Sequence, residues 1–191
     1  QALGLFLHFK TQETEIDDQR FEHGREARPI PEALDGGATG DERRLYYREL
    51  VARFGYALAL NWNLGEENTQ TPDEQRAMAE AFSEIDPYRH HVVIHTYPDE
   101  QDRVYTPLLG AGSRLTGVSL QNHWDVAHQR VLKWRRESAK AGRPWVVAND
   151  EQNDASLGVP PDPGFEGFPG KAKEKGGREY DVHDVRRHTL W

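Results

Sequence analysis

Five short apolar runs, separated by stretches with helical periodicity or by long polar connections, constrain this chain more than any other feature. They are LGLFLHF (3–9), YALALNWN (56–63), HVVIHTY (91–97), TGVSLQN (116–122) and PWVVAND (144–150). Near-continuous apolar runs of this length suit strands of a parallel sheet covered on both faces. The stretches between them carry helix signals. In DERRLYYRELVARFG, Tyr47, Leu50, Val51 and Phe54 recur at i, i+3, i+4 and i+7, and Gly55 supplies a stop. In TPDEQRAMAEAFSEI, Thr71 and Glu74 form a capping box, Pro72 takes the first helical position, and Met78, Ala81, Phe82 and Ile85 make a buried stripe. DVAHQRVLKWRRESAKAG stripes through Ala127, Val131 and Trp134, with basic residues in its later turns, where a helix dipole favours them. A last helix is expected to begin near Asp181 and run through Val185 to Trp191, while the stretch between Tyr97 and Thr116 reads as mostly loop.

Alternating strands and helices predict an α/β fold of βα units, either a stretch of a (β/α)8 barrel or a doubly wound sheet. No glycine-rich phosphate loop follows any run, which counts against a nucleotide-binding doubly wound sheet. The expected architecture is therefore a partial (β/α)8 TIM barrel with parallel strands. Two long connections, 11–40 and 152–180, follow strands and precede helices, on the face where barrels place their sites. Composition narrows the partners. With 24 Lys+Arg against 32 Asp+Glu, a net charge of −8 and no basic stripe, no nucleic acid is expected. The absence of cysteine excludes disulfides and thiolate metal sites. No apolar run approaches membrane-spanning length, so no membrane partner is expected either. Residues 1–191 begin just ahead of a strand-like run and end within a helical pattern, which reads as a piece of one longer barrel domain.

Polar chemistry gathers where the runs end: His8, Lys10 and Glu13; Asn61, Asn63, Glu66 and Glu67; His95 and Tyr97; Gln121, Asn122 and His123; Asn149, Asp150 and Glu151. Mixed with Trp62, Tyr97 and Trp124, they predict a polar pocket with aromatic walls, although Trp62, inside a strand, is expected in the core. His90 and His91 fall at a strand's start, the face that serves stability. Two carboxylates across a barrel mouth are what glycoside hydrolysis needs. One, held protonated by its surroundings, donates to the leaving oxygen; the other attacks the anomeric carbon or activates water. Glu66 or Glu67 with Glu151 supplies such a pair, and Asp150 competes with Glu151 for its place.

NWNLGEEN resembles the end of the fourth strand in clan A glycoside hydrolases, where an Asn-Glu pair closes the strand and the Glu is the acid/base. RPWVVANDEQ resembles their seventh strand, which ends in the nucleophilic Glu. On that alignment the chain spans about strands three to seven. LHFKTQETE, LYYRELVARFG, LNWNLGEENTQT, VVIHTYP and VYTPLLG look like bacterial proteins in which a small β-sandwich precedes a glycosidase-like barrel, often with a domain assigned to collagen binding at the other end. The resemblance implies hydrolysis of O-glycosidic bonds in an unidentified poly- or oligosaccharide by a retaining two-carboxylate mechanism without a cofactor or metal. Glu67 would be the acid/base and Glu151 the nucleophile, with Asn63, Glu66, His95, Tyr97 and Gln121 as substrate contacts, in a secreted or periplasmic protein. One departure stands out: Glu66 occupies the place of the clan's Asn. Two other readings remain open on the residues alone. A non-catalytic carbohydrate-binding barrel would keep the amides and aromatics, and a metal-dependent barrel hydrolase would use Glu67, His95 and His123 as ligands.

Overall fold

All five apolar runs become strands of one parallel sheet, and alternation along them separates a helix-packed face from a polar one. The computed structural model describes residues 3–12, 21–22, 25–26, 33–153, 162–173 and 177–190. Strand β1 (Leu7–Lys10) is followed by the antiparallel pair β2 (Phe21–Glu22) and β3 (Arg25–Glu26), then by helix α1 (Asp41–Phe54). Next come β4 (Leu60–Asn63), α2 (Pro72–Ile85), β5 (His91–Thr96), α3 (Gln101–Tyr105), β6 (Gly117–His123), α4 (Ala127–Lys140) and β7 (Val146–Asn153). An antiparallel ribbon, β8 (Lys171–Lys173) and β9 (Glu179–Asp181), leads into α5 (Val182–Leu190). The main sheet has the order β1-β4-β5-β6-β7, every neighbouring pair parallel, and it curls into a half-barrel flanked by helices.

Successive strand residues point to opposite faces. Leu7, Phe9, Leu60, Trp62, Leu64, Val92, Ile94, Val118, Leu120 and Val147 join Tyr47, Phe82 and Trp134 of the helices in one core. Most residues between them are polar, and Asn61, Asn63, His95, Ser119 and Gln121 are buried. The central strands β4, β5 and β6 are buried on both faces, as their hydrophobicity predicts, but one of those faces is lined mainly by polar side chains. Trp62 is fully buried as expected, stacked on Phe82 at 5.3 Å, with Tyr47 on that ring at 4.0 Å. Trp124, expected in a pocket wall, instead packs with Tyr180, Val182 and Val185 in a second cluster under α5.

Local signals set the helix ends. Thr71 and Glu74 make both bonds of the capping box, and Pro72 opens α2. Two expectations need correction. The stretch after Tyr97 contains α3, too short to show a periodic stripe, whose Gln101 accepts from the Trp134 indole at 2.9 Å and donates to the Gln121 carbonyl at 2.8 Å. The connections expected to be long loops hold the β2–β3 and β8–β9 ribbons and a 3-10 turn at Leu34–Gly37. Glu13 and Trp191 lie outside the described residues.

Asp86, just after α2, ties this core to the turn before β5. Its carboxylate accepts from the Trp62 indole at 2.9 Å, the His90 ring at 2.8 Å, and the backbone N–H groups of Tyr88 and His90 at 2.9 and 3.0 Å. Burial pushes its pKa up, and these donors more than offset that, holding it below the ordinary value. Asp86→Ala is expected to cost about 3 kcal/mol in urea unfolding at pH 7, because four donors lose a charged acceptor. A carboxylate depressed in the folded state stabilises above its unfolded pKa. The difference between wild type and variant should therefore shrink as pH falls through the folded value, below 3.8.

Candidate active site

The tip after β4 is built around Gly65-Glu66-Glu67, and its backbone is held from outside the segment. Five successive N–H groups each find an acceptor: Leu64 on the Val93 carbonyl (2.9 Å), Gly65 on Asn63 Oδ1 (3.2 Å), Glu66 on the Gln12 carbonyl (3.0 Å), Glu67 on His95 Nδ1 (3.0 Å) and Asn68 on the His95 carbonyl (2.8 Å). This full satisfaction supports an otherwise costly conformation. Glu67 sits in the left-handed region at φ 43°, which disfavours a residue with a Cβ by about 1 kcal/mol or more.

Behind the tip lies a buried amide relay. Arg43 Nη1 donates to Gln12 Oε1 at 2.7 Å, Gln12 Nε2 to Gln70 Oε1 at 2.8 Å, and Gln70 Nε2 to the Gly37 carbonyl at 2.7 Å. Asn68 joins it, donating to the same Gln70 oxygen at 3.0 Å and to the Leu64 carbonyl at 2.9 Å, while accepting from Gln75 at 3.0 Å. Gln12 and Gln70, in polar runs that read as loop, and Arg43, in a charged helical turn, carry no signal of this role in the sequence.

The opposite wall comes from β6 and β7. Their register shifts between Leu120 and Gln121, so Leu120 pairs with Asn149 while Gln121 pairs with Glu151. The extra residue is Asp150, a bulge that turns the two carboxylates toward different partners. Asp150 turns to Ser119, whose hydroxyl donates to it, and lies 3.6 Å from His8 Nδ1. Glu151 turns to Gln121, whose Nε2 donates both to Glu151 Oε1 at 2.9 Å and to Glu67 Oε1 at 3.1 Å. Because one nitrogen serves both at these distances, the two acceptor oxygens lie within about 6 Å of each other.

Charge is distributed unevenly among the carboxylates. Lys10 forms an ion pair with Glu66. His95, fully buried, accepts the Glu67 N–H at Nδ1, which leaves its proton on Nε2, 3.2 Å from Glu151 Oε2 but bent away from a straight hydrogen bond. The His95 N–H facing it, with Lys10 and the Gln121 amide, holds the Glu151 carboxyl below its ordinary value against the burial that pushes it up. Burial also lowers the pKa of His8, Lys10 adds to this, and Asp150 opposes it. No salt bridge reaches Glu67 among the described residues.

The structure thus joins Glu66, Glu67, His95, Gln121 and Glu151 in one cluster. Asn63 stands behind it, with no exposed surface; its amide N–H donates to His8 Nε2 at 2.8 Å and its oxygen accepts from the Gly65 N–H, so it positions the tip. Tyr97, 6% exposed, offers little surface for a sugar ring. The metal ligands considered from sequence, Glu67, His95 and His123, do not assemble, and His123 is engaged with Asp125 at 2.7 Å. Among the described residues, Glu66, His95 and Glu151 have ligand atoms within 4.8 Å of one another. This set fits a cation poorly. His95 presents a proton where a ligand needs a lone pair, and Lys10 already occupies Glu66.

No protein-family model matches the chain, and no curated protein and no solved structure is similar enough to count as a relative. What the molecule itself defines is an α/β half-barrel with a carboxylate–amide–imidazole cluster at the carboxyl ends of its parallel strands.

Gly65, at φ 140°, has its hydrogen aimed at the Gln12 side chain, so a Cβ there would collide with the relay. Gly65→Ala is expected to lower stability by about 1–3 kcal/mol in thermal or urea unfolding.

Proposed function

We propose that this chain is part of a (β/α)8 barrel glycoside hydrolase that cleaves a poly- or oligosaccharide with retention of anomeric configuration. The observation that carries the reading is the double hydrogen bond from Gln121 Nε2 to Glu67 and Glu151. It holds two carboxylates at a spacing that supports direct attack: retaining enzymes separate theirs by about 5–5.5 Å, inverting ones by about 6.5–9.5 Å.

The surroundings divide the roles. A nucleophile must be ionised, and the groups around Glu151 favour its charged form. A general acid must keep its proton, which an adjacent ammonium opposes; Lys10 therefore unsuits Glu66 for that task, whereas Glu67 faces no such cation. In the first step Glu67 protonates the glycosidic oxygen as Glu151 bonds to the anomeric carbon and the leaving alcohol departs. In the second, Glu67 takes a proton from water, which displaces Glu151 and releases the sugar. His95, with Nε2–H directed into the cluster, and Gln121 orient the carboxylates. Four carboxylates (Glu66, Glu67, Asp150 and Glu151) outnumber the single ammonium of Lys10, and both site histidines are neutral by their bonding, which favours uncharged over uronate-rich glycans.

The test is release of reducing sugar by the complete protein from a panel of neutral and uronate polysaccharides. Glu67→Gln and Glu151→Gln should each lose at least about a hundredfold in kcat/KM while staying folded. Glycan binding without release by wild type would overturn catalysis and leave a binding barrel. Activity should fall as pH drops through the Glu151 pKa, below 4.5, and His95→Phe should move that acidic limb upward, because it removes the main group that holds the pKa down.

A further inference from the structure

The opposite end of the sheet carries a second, separate site. A cavity of about 430 Å³ opens where α2 ends and β5 to β7 begin, with Asp86, Arg89, His90, Arg114 and Arg143 in its lining. Its volume lies within the range typical of small-molecule sites, about 300–1,000 Å³. Three arginines line it, in a protein whose net charge is −8.

Their existing bonds leave most donors over. Arg114 spends Nε on Glu80 at 2.8 Å, and Arg143 gives Nη1 to the Ser113 carbonyl. Arg89 holds no carboxylate among the described residues, although its backbone adopts the left-handed region at φ 58°. Each guanidinium carries five N–H donors in a planar fork, so these three arginines present many more donors than the described residues use. The carboxylate within the lining, Asp86, spends both oxygens on Trp62, Tyr88 and His90, and among the described residues it pairs with none of the three arginines.

Helix C-termini also gather at this end, and basic residues suit them. That accounts for cations in the region generally. It does not account for three of them around one cavity.

We propose that this cavity binds a phosphate-type dianion, either the free ion or the phosphoryl group of a small molecule, held by Arg89, Arg114 and Arg143 at the end of the half-barrel away from the carboxylate cluster. Bidentate guanidinium–phosphate pairing is the chemistry that recognises it. The site is independent of the hydrolase reading.

The test is isothermal titration of the complete protein with inorganic phosphate at constant ionic strength in chloride. Saturable binding by wild type is expected, weakened at least tenfold in Arg89→Ala and less in Arg89→Lys, which keeps charge but loses the fork. Arg89 is exposed and unpaired, so its variants should unfold at the wild-type temperature. Phenyl phosphate separates the two ligand sources: tighter binding than inorganic phosphate assigns a phosphoryl ester, and weaker binding assigns the free ion. Binding that never saturates, or that Arg89→Ala leaves unchanged, would overturn the site.

Discussion

One extra residue in β7 sets which carboxylate meets Gln121. In a parallel pair, a slip of one position sends every later side chain to the other face. Without the bulge at Asp150, Gln121 would pair with Asp150, and Glu151 would leave the polar face. With it, Glu151 reaches the amide that also holds Glu67, and Asp150 is diverted to Ser119 and His8. The irregularity interrupts the ladder between β6 and β7, but pairing resumes through His123 and Asn153, so the strand survives its own defect.

The facing wall depends on satisfaction rather than register. A strand tip with two adjacent glutamates and a left-handed backbone would ordinarily be mobile. Here its N–H groups all have acceptors, and the Arg43–Gln12–Gln70–Asn68 relay braces it from within. Buried amides left unpaired would cost several kcal/mol, so the relay stands or falls as a unit. Its product is preorganisation: the groups on β4, β5, β6 and β7 are positioned before any ligand arrives.

The two ends of the sheet have opposite electrostatic character. Carboxylates collect at the carboxyl ends of the strands, moderated by Lys10 and by imidazoles kept neutral through their hydrogen bonds. Guanidinium groups collect at the other end, where helices finish. Between them, the core of Trp62, Phe82 and Tyr47 joins the sheet to α1 and α2, and Asp86 links that core to the cationic end.

The sequence by itself determined the α/β class, the five strands, the helix starts and the residue types at the strand ends. Each of these rests on short-range physics, namely apolar periodicity, a Thr-Pro-x-Glu cap, or alternation such as Leu60-Asn61-Trp62-Asn63. It also brought Glu67, Glu151, His95 and Gln121 to attention, but as a set without geometry. Tertiary structure alone decided that Lys10 neutralises Glu66, that Asn63 supports instead of exposing its amide, and that Trp124 joins a different cluster. It also sent Asp150 to Ser119 and Glu151 to Gln121. A bulge leaves no mark in composition, and a partner some fifty residues away leaves none in local pattern, because register and long-range pairing exist only once the strands lie side by side.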